Sequence, residues 1–119
     1  MSDIEFAVRR FVEAFNASDW SGLAGLLAED VAYDPAGGER LIGRQAVHEH
    51  LALQARKGRR TLEDLAVFRT EDAPRAALEC TLRLDAAPDG ARTRRAAALF
   101  FDIDDGWISR ITAYERPAG

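Results

Sequence analysis

Five places in the chain carry side chains able to move a proton, hold a metal or attack a carbon. The first is Asp34, in the stretch Val31 to Gly38, VAYDPAGG. A carboxylate just before a proline, at the exit of a short strand, is held by a stiff backbone and could act as a general base. The same residue could equally cap the turn that Pro35 and Gly37 make. The second is His48-x-His50. Residues two apart on a helix do not share a direction, so the pair does not have the spacing of a metal site. His50 alone falls on the apolar arc with Val47 and Leu51, where a neutral imidazole is either a donor to a ligand or a satisfied core residue. The third is Cys80, in phase with Leu78, Leu82 and Leu84, which reads as a buried structural thiol. The fourth, Arg83-Leu84-Asp85, lies close to a turn and has Arg83 and Asp85 in the phase opposite Cys80. The fifth, Glu115, reads as a solvated strand end. No Ser/His/Asp order, phosphate-binding glycine loop or HxxxH spacing is present, so neither a metal nor an organic cofactor is expected.

The elements that must position these groups follow from periodicity. Ser2 with Glu5 fits a capping box, and Ile4, Val8, Phe11 and Phe15 then recur at helical spacing, predicting a first helix over about Asp3 to Ala17 with Phe6 on its exposed side. Asp19 is a good N-cap for a second helix ending near Asp30. Val31 to Asp34 reads as a short strand, Leu41 and Ile42 as another, and Arg44 to Arg56 as a third helix. After Gly58 the period becomes alternating. Leu65 to Thr70, Arg75 to Asp85, Thr93 to Ile103 and Trp107 to Glu115 read as strands, with turns at Glu71 to Pro74, Pro88 to Gly90 and Asp104 to Gly106. Helices first and an antiparallel meander after them make an α+β layout.

At 119 residues the chain is expected to be a single domain, 1–119. A net charge of −4 argues against a nucleic-acid surface. The one basic run, Arg56, Lys57, Arg59 and Arg60, follows a helix and reads as a solvated helix end. The longest apolar run, Ala96 to Phe101, is too short to cross a bilayer, and MSDIEF lacks the basic start of a signal peptide; a cytoplasmic location is expected. A lone cysteine allows no internal disulfide. Along Ala96 to Ile103 both phases are apolar, so the strand must be covered on both faces. Helices cover one; a second copy of the chain is expected on the other.

Three phrases, VRRFVEAFNASDWSGLAGLLAEDVAYDPAGG, GRQAVHEHL and ALFFDIDDGWISRITAYE, occur in an order and spacing that resembles the SnoaL-like and ketosteroid isomerase-like members of the nuclear transport factor two-like superfamily. The resemblance runs from Val8 to Glu115. It implies a cone-shaped, cystatin-like α+β fold: three N-terminal helices packed in a curved, mixed, mainly antiparallel sheet, with an apolar pocket between them and homodimers formed through the outer sheet face. It also implies that Asp34 occupies the place of the isomerases' general base. In those enzymes a tyrosine and a protonated aspartate donate to the enolate oxygen. Here their places fall on Phe11 and on Leu99, or Ala98 with a one-residue slip, and none of these donates. Losing one such donor costs roughly 3 to 4 kcal/mol of transition-state stabilisation, so an efficient steroid isomerase is not expected. The expectation is a protein that binds a small apolar or partly polar metabolite, either catalysing isomerase- or cyclase-type proton transfer with Asp34 as base and His50 as donor or acid, or serving as a non-catalytic binding or interaction module. Phe11, Phe15, Trp20, Leu27, Leu51, Leu99, Ile111 and Ala113 would shape its walls. The related epoxide hydrolases use an Arg and two Asp; Arg83-x-Asp85 has part of that form, but Ala113 stands near the place of the other aspartate.

Overall fold

The computed structural model describes residues 3–86 and 90–116. Ser2 of the expected capping box, and Pro88 and Asp89 of the expected turn, lie outside the described residues. Helix α1 (Asp3–Asn16) buries Val8, Phe11, Val12 and Phe15 along one stripe, the spacing a 3.6-residue period requires. Helix α2 (Trp20–Ala24) is capped by Asp19, whose carboxylate accepts from the Gly22 N–H at 3.0 Å. It ends six residues before the expected Asp30. Leu27, instead of closing its last turn, opens strand β1 (Leu27–Asp34). The reason is visible in the pairing of β1, whose register shifts between Leu27 and Ala32. That irregularity buries Leu27 and Val31, four residues apart, in one core, and a spacing of four reads as helix in the sequence.

Strand β2 (Leu41–Ile42) pairs with β1, and α3 (Arg44–Lys57) follows at once. Gly43 joins them at φ +103°, a conformation that side chains resist, and its N–H donates to Val31 O at 2.8 Å. Arg44 adds a second tie: its Nε and Nη2 both donate to Leu27 O, at 3.0 and 2.7 Å, while its guanidinium lies over the Trp107 ring. The start of α3 is thereby fixed against β1.

The remaining strands are β3 (Gly58–Arg69), β4 (Arg75–Ala86), β5 (Ala91–Asp104) and β6 (Trp107–Glu115). Together with the first two they form one six-stranded sheet in the order β2-β1-β6-β5-β4-β3, antiparallel throughout except where β1 runs parallel to β6. The fold is the expected α+β layout with a mixed, mainly antiparallel sheet. One strand begins earlier than its alternation suggested: β3 starts at Gly58, seven residues before Leu65. Arg59 and Arg60 therefore belong to a strand and not to a solvated helix end. The apolar alternation that marks a strand is hidden there, because inward-phase Arg60 occupies a place where a hydrophobic residue would be looked for.

The core lies between the helices and one sheet face. Phe101, Leu78, Ile108 and Ile111 are fully buried from the strand side, and Val8, Val47 and Leu23 from the helix side. Phe101 meets Phe11 edge to face at 5.2 Å, which holds α1 across the sheet. Asn16 pins the end of α1 to β3. Its Nδ2 donates to Leu62 O at 3.0 Å and its Oδ1 accepts from Leu62 N at 2.7 Å, so one side chain satisfies the backbone as a neighbouring strand would. Cys80 is buried in this core, and burial, reinforced by Glu115 and Glu79, pushes its thiol up to about 11. It is a structural thiol, as expected.

Candidate functional site

Strand alternation decides which side chains face the helices. On β3 the inward phase carries Arg60 and Leu62; on β4 Leu82; on β5 Ala97 and Leu99; on β6 Ala113 and Glu115. On β1 it carries Val31 and Tyr33, which leaves Asp34 in the other phase. Phe11 and Phe15 of α1 and Gln54 of α3 complete the enclosure around a cavity of about 50 Å³. Most of this wall is hydrocarbon. Tyr33, Gln54, Arg60 and Glu115 are its polar members, joined at the rim by Tyr114.

The polar members differ sharply in how well they are satisfied. Glu115, read from sequence as a solvated strand end, is half-buried on the cavity wall and pairs with Arg95 at 3.3 Å. Arg60 has a buried Nε with no hydrogen-bond partner among the described residues. Tyr33 is held as a neutral phenol: burial and the nearby Glu115 push it up to about 12, against a smaller downward pull from Arg60. His50 packs its ring edgewise on Tyr33 at 5.7 Å, and its Nε2 is buried without a partner. Burial, then Arg60 and Lys57, lower its pKa, so it is a neutral imidazole.

Asp34 sits outside this enclosure. Its Oδ1 accepts from Arg40 Nε at 2.6 Å, and its Oδ2 accepts from Arg40 Nη2 at 3.0 Å and from Arg110 Nη2 at 3.3 Å. The Arg40 hydrogen bonds, opposed by a smaller desolvation and aided by both positive charges, hold its carboxyl below the usual range. It lines a shallow depression of about 400 Å³ with Arg40, Arg110 and Thr112, adjoining the cavity along Pro35, Ala36, Ala113, Tyr114 and Glu115, which border both. Asp34 and His50 line no common cavity among those described. Of the expected wall residues, Phe11, Phe15, Leu99 and Ala113 line the cavity. Leu27, Leu51 and Ile111 are buried in the packed core beside it, and Trp20 stacks edgewise on Phe15 at 5.4 Å, behind the wall. Leu27 moved because β1 starts early. Among the described residues no group of three or more His, Cys, Asp or Glu is placed to hold a metal, and no helix is long and apolar enough to cross a membrane.

The outer sheet face carries a roomier depression, about 750 Å³, bounded by Phe68, Phe100 and Tyr114 with Arg69, Arg75 and Arg110 around them. Phe68, Phe100 and Tyr114 are 57%, 47% and 60% exposed, far more than aromatic residues of a covered face.

Similarity to known proteins agrees with this architecture. A candidate polyketide cyclase from Pseudomonas putida superposes with a TM-score of 0.88 at 33% identity, over 98% of this chain and 92% of that one. Another from Xanthomonas campestris pv. campestris gives 0.89 at 30% identity, over 96% and 90%. The RV0760c protein of Mycobacterium tuberculosis, solved in complex with estradiol-17β-hemisuccinate, shares the fold at 18% identity with a TM-score of 0.83, over 96% and 94%. No curated protein matches the sequence. The family model of the SnoaL-like domain matches residues 8–111. With that match and two structures at 30% identity or above, the chain belongs to the SnoaL-like domain family.

Proposed function

We propose that the protein binds a small, largely apolar metabolite in the cone between α1, α3 and the sheet. The observation that carries this reading is the cavity itself: a hydrocarbon wall of Phe11, Phe15, Leu62, Leu82 and Leu99 interrupted by a few polar side chains, the composition of small-molecule sites generally. A space of about 50 Å³ holds on the order of four water molecules, which limits the ligand to about the size of a single ring. The steroid hemisuccinate in the M. tuberculosis protein belongs to that protein, and here it supports only the view that the fold accommodates small molecules.

Binding without chemistry is favoured over proton transfer by the state of Asp34. A base with three hydrogen bonds from two guanidinium groups has lowered proton affinity, and its carboxylate lines the neighbouring depression and not the cone. Proton transfer keeps one observation in its favour: Pro35 and Ala36 border both spaces, so the Asp34 carboxylate stands one residue from the cone.

Benzamide, a neutral single-ring probe, tests the location. Ala113→Phe, which fills the cone floor, is expected to weaken its binding at least tenfold, while Ala77→Phe on the outer face leaves it unchanged. The opposite pattern would move the site to the outer face.

The outer face is better explained by a second copy of the chain. The exposed Phe68, Phe100 and Tyr114 form an apolar patch flanked by basic residues and Asp102, which suits a self-complementary contact. Sedimentation at micromolar concentration is expected to give twice the chain mass, and a monomer mass contradicts the homodimer.

A further inference from the structure

Arg60 is the one cation lining the cone, and it has no hydrogen-bond or ion-pair partner among the described residues. Several other arginines are paired with carboxylates: Arg40 and Arg110 with Asp34, Arg75 with Asp102, Arg83 with Glu63 and Asp85, and Arg95 with Glu115. A half-buried guanidinium with no counter-charge beside it has a cost that a bound anion would reduce. The cavity also contains a carboxylate, Glu115, but Arg95 already neutralises it. The charges around the cone therefore leave one positive charge unmatched, that of Arg60. The other polar groups near it are donors or neutral: the Tyr33 phenol on the wall, the Gln54 amide, and the His50 imidazole packed against Tyr33 with its own Nε2 unsatisfied.

Accepting the cone as the ligand site, we propose that its ligand carries a single carboxylate, which the Arg60 guanidinium holds through its terminal nitrogens with the Tyr33 hydroxyl as a further donor. The small volume limits the rest of the ligand to about one ring or a short acyl chain, lying on Phe11, Phe15 and Leu99. The ligand class is thus a small aromatic or aliphatic monocarboxylic acid.

Benzoate and benzamide are matched in shape and differ in charge, which makes them the probes. Binding is followed through the amide resonances of Leu99 and Ala113, so that anions collecting on the basic outer face are not counted. In the wild type, benzoate is expected to bind at least tenfold more tightly than benzamide. Arg60→Gln weakens benzoate far more than benzamide and brings the two within twofold of each other, and Arg60→Lys keeps a preference for benzoate. Equal binding of the two probes to the wild type, or a benzoate preference that survives in Arg60→Gln, overturns the carboxylate assignment and leaves the cone as a neutral site. Absence of cone binding by either probe overturns the ligand-site reading as well. Should Arg60→Gln fail to fold, the wild-type comparison and Arg60→Lys still decide the matter.

Discussion

Asp34 shows how one phrase of sequence can locate a residue and misstate its state. VAYDPAGG marks a carboxylate at a strand exit, and the structure has it there, on the last residue of β1. The sequence gives no sign that Arg40, six residues on, and Arg110, far along the chain, converge on its two oxygens. Arg40→Ala is expected to raise the Asp34 pKa back toward the ordinary carboxylate value of 3.8, read by NMR titration of its side-chain carboxyl. An unchanged titration would show that Arg110 or the backbone sets it. The sign for stability follows from the same depression. The pairing stabilises the fold fully above the unfolded-state pKa and is lost as pH falls through the lower folded value, so Arg40→Ala narrows the difference between neutral and acid stability. Arg60 was legible only as part of a basic run. Its partner in phase, Leu62, lies two residues on, and that i, i+2 relation is the signal that turns a helix-end cation into a cone residue.

At the scale of elements, α1, α3, β2 and β6 could be read from sequence to within a residue or two, because each has a clean period and a clear stop. The failures share a cause. The end of α2 and the start of β1 were confused by apolar residues four apart across a register shift, and the start of β3 by charged residues in a strand half-covered by α1 and α3. In both, long-range pairing overrides local pattern. Asn16 is the element-level joint: it is the last residue of α1, and its amide bonds both backbone groups of Leu62. Asn16→Ala leaves those groups without their partners and is expected to destabilise the fold by about 1 to 3 kcal/mol in urea denaturation. A loss below a few tenths of a kcal/mol would mean that water replaces the clamp at no cost.

For the whole molecule, the architecture places a small, mostly apolar cavity under α1 and a broad aromatic patch on the opposite sheet face, two surfaces with different chemistry on one sheet. The two-sided apolar pattern of β5 made both faces legible in the sequence as faces to be covered, without saying which takes a ligand and which takes protein. Volume and charge separate them. The inner space suits a ring-sized molecule beside one unmatched cation, while the outer one is wide, open and bordered by arginines of which Arg75 and Arg110 are paired with Asp102 and Asp34. The most direct test is an amide chemical-shift map of the protein titrated with benzoate. Shifts concentrated at Tyr33, Arg60, Leu99 and Ala113 are predicted. A map centred on Ala77, Phe100 and Thr112, with the cone residues unmoved, would contradict the account.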